Sequence, residues 1–339
     1  KDYIEAQCME VVKKSPIEKL HPNNPFGMQA GCMWVNIPYE EQIKIKEMQV
    51  DESLFHIRKF QEDFKLSPIV TSKISDWYRN KIEFSFWKNI SQKTWDNDHF
   101  NVWFHKQWEF SKIEDFDGTI LIDDLQNKVY KEIKDFAKNS WLPVYDQFNN
   151  QGFFRHIVLR KTHFTNQLMI IFWFNNEFPG YNSWVYENLK NFFLELAKKY
   201  SEITSIYFSL NAGKADAAIW ELDLIYWKSF IQEEFLDLKF NISPKSFFQT
   251  NSSQAKVLYE TVLNQITPSD LKDFTVLDLY WWTWTIWMVF APHSKEVISV
   301  ELVTQASKDW EENAKINNIS NMSFVNAKVE EFLEEYIKD

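Results

Sequence analysis

Asp278-Leu279-Tyr280-Trp281-Trp282-Thr283-Trp284-Thr285-Ile286-Trp287 decides the reading of this chain. It joins an apolar run with strand character, Phe274 to Leu279, to a stretch with helical spacing, Ile286 to Ala291. A strand-to-helix turn that lets a ligand approach bare backbone uses glycine, which accepts positive φ and carries no Cβ. Four tryptophans occupy those places here. The chain holds 6 glycines and 16 tryptophans in 339 residues, whereas an average glycine usage of about 7% would supply roughly two dozen. The two residue types together come close to that expectation. We therefore read most of the tryptophans as glycine codons translated with the wrong table, since UGA specifies Trp in some genetic codes and Gly in others. With glycine at positions 282, 284 and 287 the loop becomes Gly-Thr-Gly-Thr-Ile-Gly, and Trp281 is a fourth candidate. Taken as tryptophans, the same positions form an apolar plug that disfavours positive φ and fills the space of a ligand.

Around this loop the pattern alternates. Ser252 to Gln265 has helical spacing, Thr275 to Leu279 is a strand, and residues 286–291 form a helix. Then come a strand from Val297 to Glu301, a helix from Thr304 to Asn317, a strand from Ser323 to Val325 and a helix from about Val329. Such a βαβ series implies a parallel sheet with right-handed crossovers, and ligands of these sheets bind beyond the carboxyl ends of the strands. Glu301 lies 23 residues beyond Asp278 and closes the second strand, about where an acid hydrogen-bonds a ribose diol. An acid before the loop and no basic group near it suit a nucleoside cofactor without phosphates, namely S-adenosylmethionine. A strand-end carboxylate taken alone also reads as a solvated surface group.

Upstream, residues 1–50 open with a strand-like segment, Tyr3 to Val12. A turn-rich passage, His21 to Gly27, and a polar helix, Tyr39 to Met48, follow. Residues 51–240 mix strands (Lys81 to Phe86, Thr119 to Ile122, His156 to Leu159, Gln167 to Phe174, Ser205 to Leu210) with helices (Gln126 to Lys138, Val185 to Tyr200). The 45% apolar and 25% charged content is that of a soluble globular chain. Heavy use of Lys, Asn, Ile and Phe, with arginine only at Arg58, Arg79, Arg155 and Arg160, fits a low-GC coding sequence. No apolar run approaches the ~18 residues of a membrane span, and the first residues lack the pattern of a signal peptide, so a cytoplasmic protein without a membrane partner is expected. Cys8 and Cys32 cannot build a disulfide framework, and no Cys/His spacing offers a metal site.

The net charge of −11 argues against general nucleic-acid affinity. Its distribution argues the other way. Cations and aromatics gather in Trp77-Tyr78-Arg79-Asn80-Lys81, in Phe104-His105-Lys106, and in Phe153-Phe154-Arg155-His156 followed by Arg160-Lys161. Each cluster alone reads as a solvated sheet edge; three together fit RNA, which needs stacking aromatics and phosphate-binding cations.

At this point a resemblance becomes specific. Phe240-Asn241-Ile242-Ser243-Pro244-Lys245-Ser246-Phe247-Phe248-Gln249-Thr250-Asn251, the Asp278 loop and Val300-Glu301 resemble the RNA 5-methyluridine (uracil-5) methyltransferase family, which uses S-adenosylmethionine. Tyr78 to Phe86, Phe104-His105-Lys106, Gly152 to His156, Gly31-Cys32-Met33-Trp34 and Ile37-Pro38-Tyr39 match it in the same order. Trp87, Trp103, Trp108 and Trp227 also fall where that family has glycine, whereas Trp34 and Trp77 stand where an aromatic is acceptable. The resemblance implies that Gln249, Asp278, Tyr280, Thr285 and Glu301 bind S-adenosylmethionine. It implies that Tyr78, Arg79, Lys81, Phe154, Arg155 and His156 hold RNA, with a target uridine flipped from its stack. It further implies a cysteine thiolate that adds to carbon 6 of uracil and a glutamate carboxylate that removes the carbon 5 proton. Both lie in the family beyond an Asp-Pro-Pro-Arg motif that this sequence does not contain. The nucleophilic cysteine and the base are therefore expected beyond Asp339, and the chain is expected to be truncated before its catalytic residues and inactive as written. Gln29 stands where a cluster-forming cysteine would be, and no iron–sulfur cluster is expected.

The expected fold is α/β: an incomplete Rossmann-like methyltransferase domain with a parallel βαβ sheet, residues 241–339. An α+β RNA-binding central domain, residues 51–240, and an N-terminal segment, residues 1–50, precede it. The expected activity is formation of 5-methyluridine in tRNA or rRNA. Two alternatives stand beside it: a non-catalytic RNA-binding module or decayed methyltransferase, and a methyltransferase acting on another RNA base, because a fold hosts many chemistries.

Overall fold

A computed structural model of the chain describes residues 10–24, 31–58, 66–88, 100–106, 109–113, 115–146, 149–211, 213, 221–266, 271–279, 285–300 and 307–337. Residues 1–76 and 77–339 form two compact units. In the first, helix α1 (Tyr39–Arg58) runs a full 20 residues, past the expected end at Met48, because no glycine or proline interrupts it. Gln42 ties its start down by donating from Nε2 to the carbonyls of Trp34 (3.2 Å) and Ile37 (2.8 Å). Most of the strand expected from Tyr3 to Val12 lies outside the described residues, and Glu10 to Val12 are not in a strand.

The second unit is built on a six-stranded sheet of order β2-β1-β5-β6-β7-β8. Its strands are β1 (Lys81–Trp87), β2 (Asn101–Trp103), β5 (Phe154–Lys161), β6 (Leu168–Phe174), β7 (Ile203–Leu210) and β8 (Glu221–Trp227). Strands β6 and β7 pair in parallel and all other neighbours are antiparallel. A short hairpin, β3 (His105–Lys106) with β4 (Glu109–Ile113), stands apart. The central strand β6, Leu-Met-Ile-Ile-Phe-Trp-Phe, is buried along its whole length, as a strand covered on both faces must be. Its residues alternate between two cores. Phe172 meets Phe193 of helix α3 (Ser183–Lys199), ring centroids 5.0 Å apart. On the same side of the sheet, helix α2 (Asp124–Asn139) buries Val129, Tyr130, Ile133 and Ala137, with the Tyr130 ring centroid 4.1 Å from that of Phe84. Met169, Ile171 and Trp173 enter a second core with Phe235, Phe240, Phe248, Tyr259, Trp287 and Val297.

That second core is closed by the hairpin β9 (Ile231–Phe235) and β10 (Leu238–Ile242), helix α4 (Ser252–Gln265) and helix α5 (Thr285–Phe290). The hairpin turns at Leu236 and Asp237, both at positive φ (52° and 59°), the geometry of a type I′ turn without its usual glycine. The parallel sheet follows in order β11 (Thr275–Leu279), β12 (Glu296–Val300), β13 (Met322–Val325), with helices α6 (Ser307–Ile316) and α7 (Val329–Tyr336). The fold is thus α/β, with a mixed-sheet α+β portion preceding a parallel βαβ portion. One expected strand is corrected: Thr119 to Ile122 is a turn. The Asn127 side chain accepts from Thr119 N (2.9 Å) and donates to the carbonyls of Thr119 (2.9 Å) and Ile122 (3.1 Å), so a side chain replaces a ladder partner.

Two tryptophans carry left-handed backbone: Trp77 at φ 56° and Trp227 at φ 49°. An L-residue there costs roughly 1–2 kcal/mol, and glycine costs nothing of the kind. At Trp227 this agrees with the recoding read from the sequence; Trp77, read as a position that accepts an aromatic, has the same backbone geometry. Both side chains are exposed. Gly152, a true glycine at φ 116°, shows what such a place demands, since a Cβ there would lie 2.2 Å from the Val144 carbonyl oxygen.

Candidate functional site

Gln249 sits in the segment between β10 and α4, and four anchors shape that segment. Phe248 is buried against Phe235 and Phe240. Ser243 and Ser246 close a turn, the Ser243 amide donating to Ser246 Oγ at 3.0 Å. Arg160 of β5, itself buried, donates from Nη1 to the carbonyls of Ser243 (2.7 Å) and Pro244 (3.1 Å). Asn80 donates from Nδ2 to the Gln249 carbonyl (2.6 Å) and to Ser252 Oγ (2.7 Å), and its amide donates to the Thr250 carbonyl (2.8 Å). The Gln249 side chain is half-buried and has no hydrogen-bond partner among the described residues, so its amide keeps both donor and acceptor for a ligand.

Helix α4 carries this region toward the loop. Asn251 caps it, its Oδ1 accepting from Gln254 N at 2.9 Å. Ser252, Ala255 and Tyr259 are its buried residues, one face of a helix at spacings of three and four. Two turns beyond Ser252, about 10 Å along the axis, the Tyr259 hydroxyl meets Thr285 Oγ1 at 2.7 Å inside the fold. Burial, the dominant influence, raises the Tyr259 phenol above its usual range, while the hydrogen bond to Thr285 lowers it. Thr285 begins α5 and is buried. The parallel register sets Asp278 beside Ser299 and Leu279 beside Val300, so β11 and β12 end side by side at their carboxyl ends. Asp278 is half-buried there. Tyr280, Glu301 and the tryptophans at 281, 282 and 284 lie outside the described residues, as does Trp108. Trp287 is buried in α5, in the core shared with Tyr259.

The candidate RNA residues divide in two. Tyr78, Arg79 and Lys81 are half-buried at the start of β1, and Arg79 Nε donates to the Lys81 carbonyl at 3.0 Å. Burial first, then the neighbouring Arg160 cation, lowers the Lys81 ammonium from its usual range. Phe154, Arg155 and His156 are buried in β5. Arg155 donates to the carbonyls of Asn211 (3.0 Å) and Gly213 (2.7 Å), with its guanidinium 4.2 Å from the Tyr145 ring centroid. His156 Nδ1 lies 3.1 Å from Ser85 Oγ. All three side chains, expected to hold RNA, lie buried within the sheet rather than on its exposed surface. Sequence reasoning gave Asn80 and Tyr259 no role and read Arg160 only as part of a basic cluster. Asn80 lay within a quoted motif, but its partners are more than 160 residues away; Tyr259 reads as an ordinary apolar position of an amphipathic helix.

Among the described residues, no helix is long and apolar enough to cross a membrane, and no group of three or more metal-ligating side chains occurs. Cys32 is buried, and Cys8 and Gln29 lie outside the described residues. The described residues end at Ile337, in the turn that closes α7.

No protein-family model matches the chain. It is 34% identical over 342 residues to an uncharacterized RNA methyltransferase of Chlorobaculum tepidum, a match that spans 97% of this chain and 68% of that protein. It is 33% identical over 336 residues to an uncharacterized RNA methyltransferase of Fusobacterium nucleatum, at 98% and 68% coverage. In fold it is similar to the Pyrococcus abyssi tRNA (uracil-54, C5)-methyltransferase solved in complex with S-adenosyl-L-homocysteine. The TM-score is 0.68 at 24% identity, covering 93% of this chain and 67% of that one.

Proposed function

The chain belongs to the RNA methyltransferase family, and on that premise we propose that it serves the S-adenosylmethionine-dependent methylation of uridine at carbon 5 in tRNA or rRNA. The observation that carries this reading is the Gln249 region itself: a segment anchored at both ends, whose Gln249 side chain has no partner among the described residues, joined by α4 to Thr285 at the head of the helix after the loop. Residues 241–339 form the cofactor half, where Gln249 and Thr285, with Asp278, Tyr280 and Glu301, hold S-adenosylmethionine. When bound, that cofactor supplies an electrophilic methyl group. The donor set fits a nucleoside: an amide with donor and acceptor, the Tyr280 hydroxyl and two carboxylates, with no cation to prefer a phosphate, while Thr285, its hydroxyl spent on Tyr259, fixes the head of α5.

The RNA half is assigned to residues 51–240. Tyr78 offers a stacking face, Arg79 and Lys81 offer charge, and Phe154, Arg155 and His156 brace the strands beneath. Lys81 loses solvation on the way into the fold, which primes it to gain from a phosphate more than an exposed lysine would. The attacking nucleophile and the proton acceptor are assigned to no residue from Lys1 to Asp339.

The test has two arms. Calorimetry with S-adenosylhomocysteine should show weak binding for the chain with tryptophan at 281, 282, 284 and 287, and recovered binding with glycine at all four. Absence of any gain in a folded variant counts against the cofactor assignment. The whole reading frame, translated with UGA as glycine, should place the methyl on carbon 5 of uridine; nucleoside mapping to another base or atom rejects the substrate assignment.

A further inference from the structure

We propose that Asn80 is a positioning residue that holds the Gln249 segment in shape from the RNA-facing strand, with Arg160 as its partner. The inference rests on the reading of Gln249 as a cofactor contact. Asn80 spends all three of its N–H groups on one segment: the two Nδ2 hydrogens go to the Gln249 carbonyl (2.6 Å) and Ser252 Oγ (2.7 Å), and the backbone amide to the Thr250 carbonyl (2.8 Å). Its own carbonyl accepts from Lys161 N at 2.7 Å, which fixes Asn80 to the end of β5. Lys81, the next residue, pairs in register with Arg160. Arg160 in turn grips the other end of the segment through the Ser243 and Pro244 carbonyls.

Two adjacent strand ends therefore hold residues 243–252 at both termini, and Phe248 pins the middle into the core. Backbone carbonyls outside regular structure need donors of this kind, because a buried carbonyl left unpaired is costly. The arrangement demands an amide at position 80. Aspartate has the same shape but would set a carboxylate oxygen against the Gln249 carbonyl at hydrogen-bond distance, so repulsion replaces attraction. Asn80 stands between Tyr78-Arg79 and Lys81, the groups assigned to RNA. It thus joins the surface that meets the substrate to the segment that meets the methyl donor.

Hydrogen exchange followed by mass spectrometry on the chain tests this directly. Asn80→Asp should raise exchange in residues 246–252 about tenfold or more, the scale of losing hydrogen bonds of ordinary net strength, and leave β5 and β6 unchanged. Asn175→Asp serves as the control. It breaks a comparable bond to the Gly152 carbonyl (3.0 Å) at the opposite end of β6, and should lower stability without loosening 246–252. Arg160→Lys, which keeps a donor for the two carbonyls, should hold the segment nearer native than Arg160→Met. That pair decides the matter by the same readout if Asn80→Asp does not fold.

Titration with S-adenosylhomocysteine, in the chain carrying glycine at 281, 282, 284 and 287, separates the two readings. If Gln249→Ala abolishes binding and Asn80→Asp leaves both exchange and affinity unchanged, the positioning role is overturned and the cofactor role stands. If Asn80→Asp loosens the segment and Gln249→Ala leaves affinity unchanged, the clamp stands and the assignment of Gln249 fails. Loosening together with an affinity loss of about tenfold supports both.

Discussion

The six-stranded sheet and the three-stranded parallel sheet of the second unit solve the same packing problem to different degrees. In the first, β5, β6 and β7 are buried almost throughout, with α2 and α3 over one face and the β9–β10 hairpin, α4 and α5 over the other. In the second, every residue of β11 and β13 is only half-buried, although parallel strands normally lie covered on both faces. Apolar burial of about 25 cal/mol per Å² makes the first sheet the stabilising centre of the unit. The parallel sheet instead carries Asp278 near the end of β11, beside Ser299 of β12.

The sharpest way to break this comparison is a pair of truncations. Phe172→Ala, in the fully covered sheet, should cost about 3–5 kcal/mol, and Phe324→Ala, in β13, about 1–2 kcal/mol. Denaturant midpoints measure both, and equal losses would contradict the division. Next in size are Trp77→Gly and Trp227→Gly, each expected to stabilise by roughly 1–2 kcal/mol through relief of left-handed backbone. The exposed side chains give up little packing, and thermal unfolding would show the gain. Tyr259→Phe should cost about 1 kcal/mol by leaving the buried Thr285 hydroxyl without its partner. It should loosen α5 more than β6 in hydrogen exchange, because the bond joins α4 to the parallel portion.

The smallest effect concerns pH. Lys134, buried in α2, donates to Asp117 Oδ1 at 2.9 Å and holds that carboxyl below its usual range. A depressed folded-state value means stability that is present above the unfolded value near 3.9 and lost as pH falls through the folded one. Asp117 is 60% exposed, so solvent screens the contribution and the effect is modest. Lys134→Met should lower Tm at neutral pH and shrink the further fall in Tm between neutral pH and about pH 3.

Several elements were legible because one signal decided them. Ser252 to Gln265 and Thr275 to Leu279 match their observed limits, since caps and apolar spacing coincide there. Thr119 to Ile122 was misleading: four apolar or β-branched residues suggest a strand, but Asn127, five residues downstream of Ile122, takes backbone groups of Thr119 and Ile122, while the Ile120 and Leu121 carbonyls accept from the amides of Trp77 and Arg79. The β9–β10 hairpin went unseen because Leu236-Asp237 lacks the glycine that usually marks such a turn, and Asp237 alone is of a type that favours positive φ. Of the candidate site, Gln249, Asp278 and Thr285 were named from their motifs, whereas Asn80, Arg160 and Tyr259 act on residues far along the chain.

By itself the sequence determined the alternation of strands and helices, the place of the loop between β11 and α5, and the anomaly of tryptophan where glycine belongs. These are matters of spacing and local stereochemistry, which neighbouring residues settle. Tertiary structure alone decided which cations are buried supports and which stand at the surface, that Trp77 shares the left-handed backbone of Trp227, and that an asparagine at a strand end holds the segment bearing Gln249. Those depend on contacts between residues distant in sequence, and a hydrogen bond of 2.6 Å across 169 positions leaves no trace in local pattern.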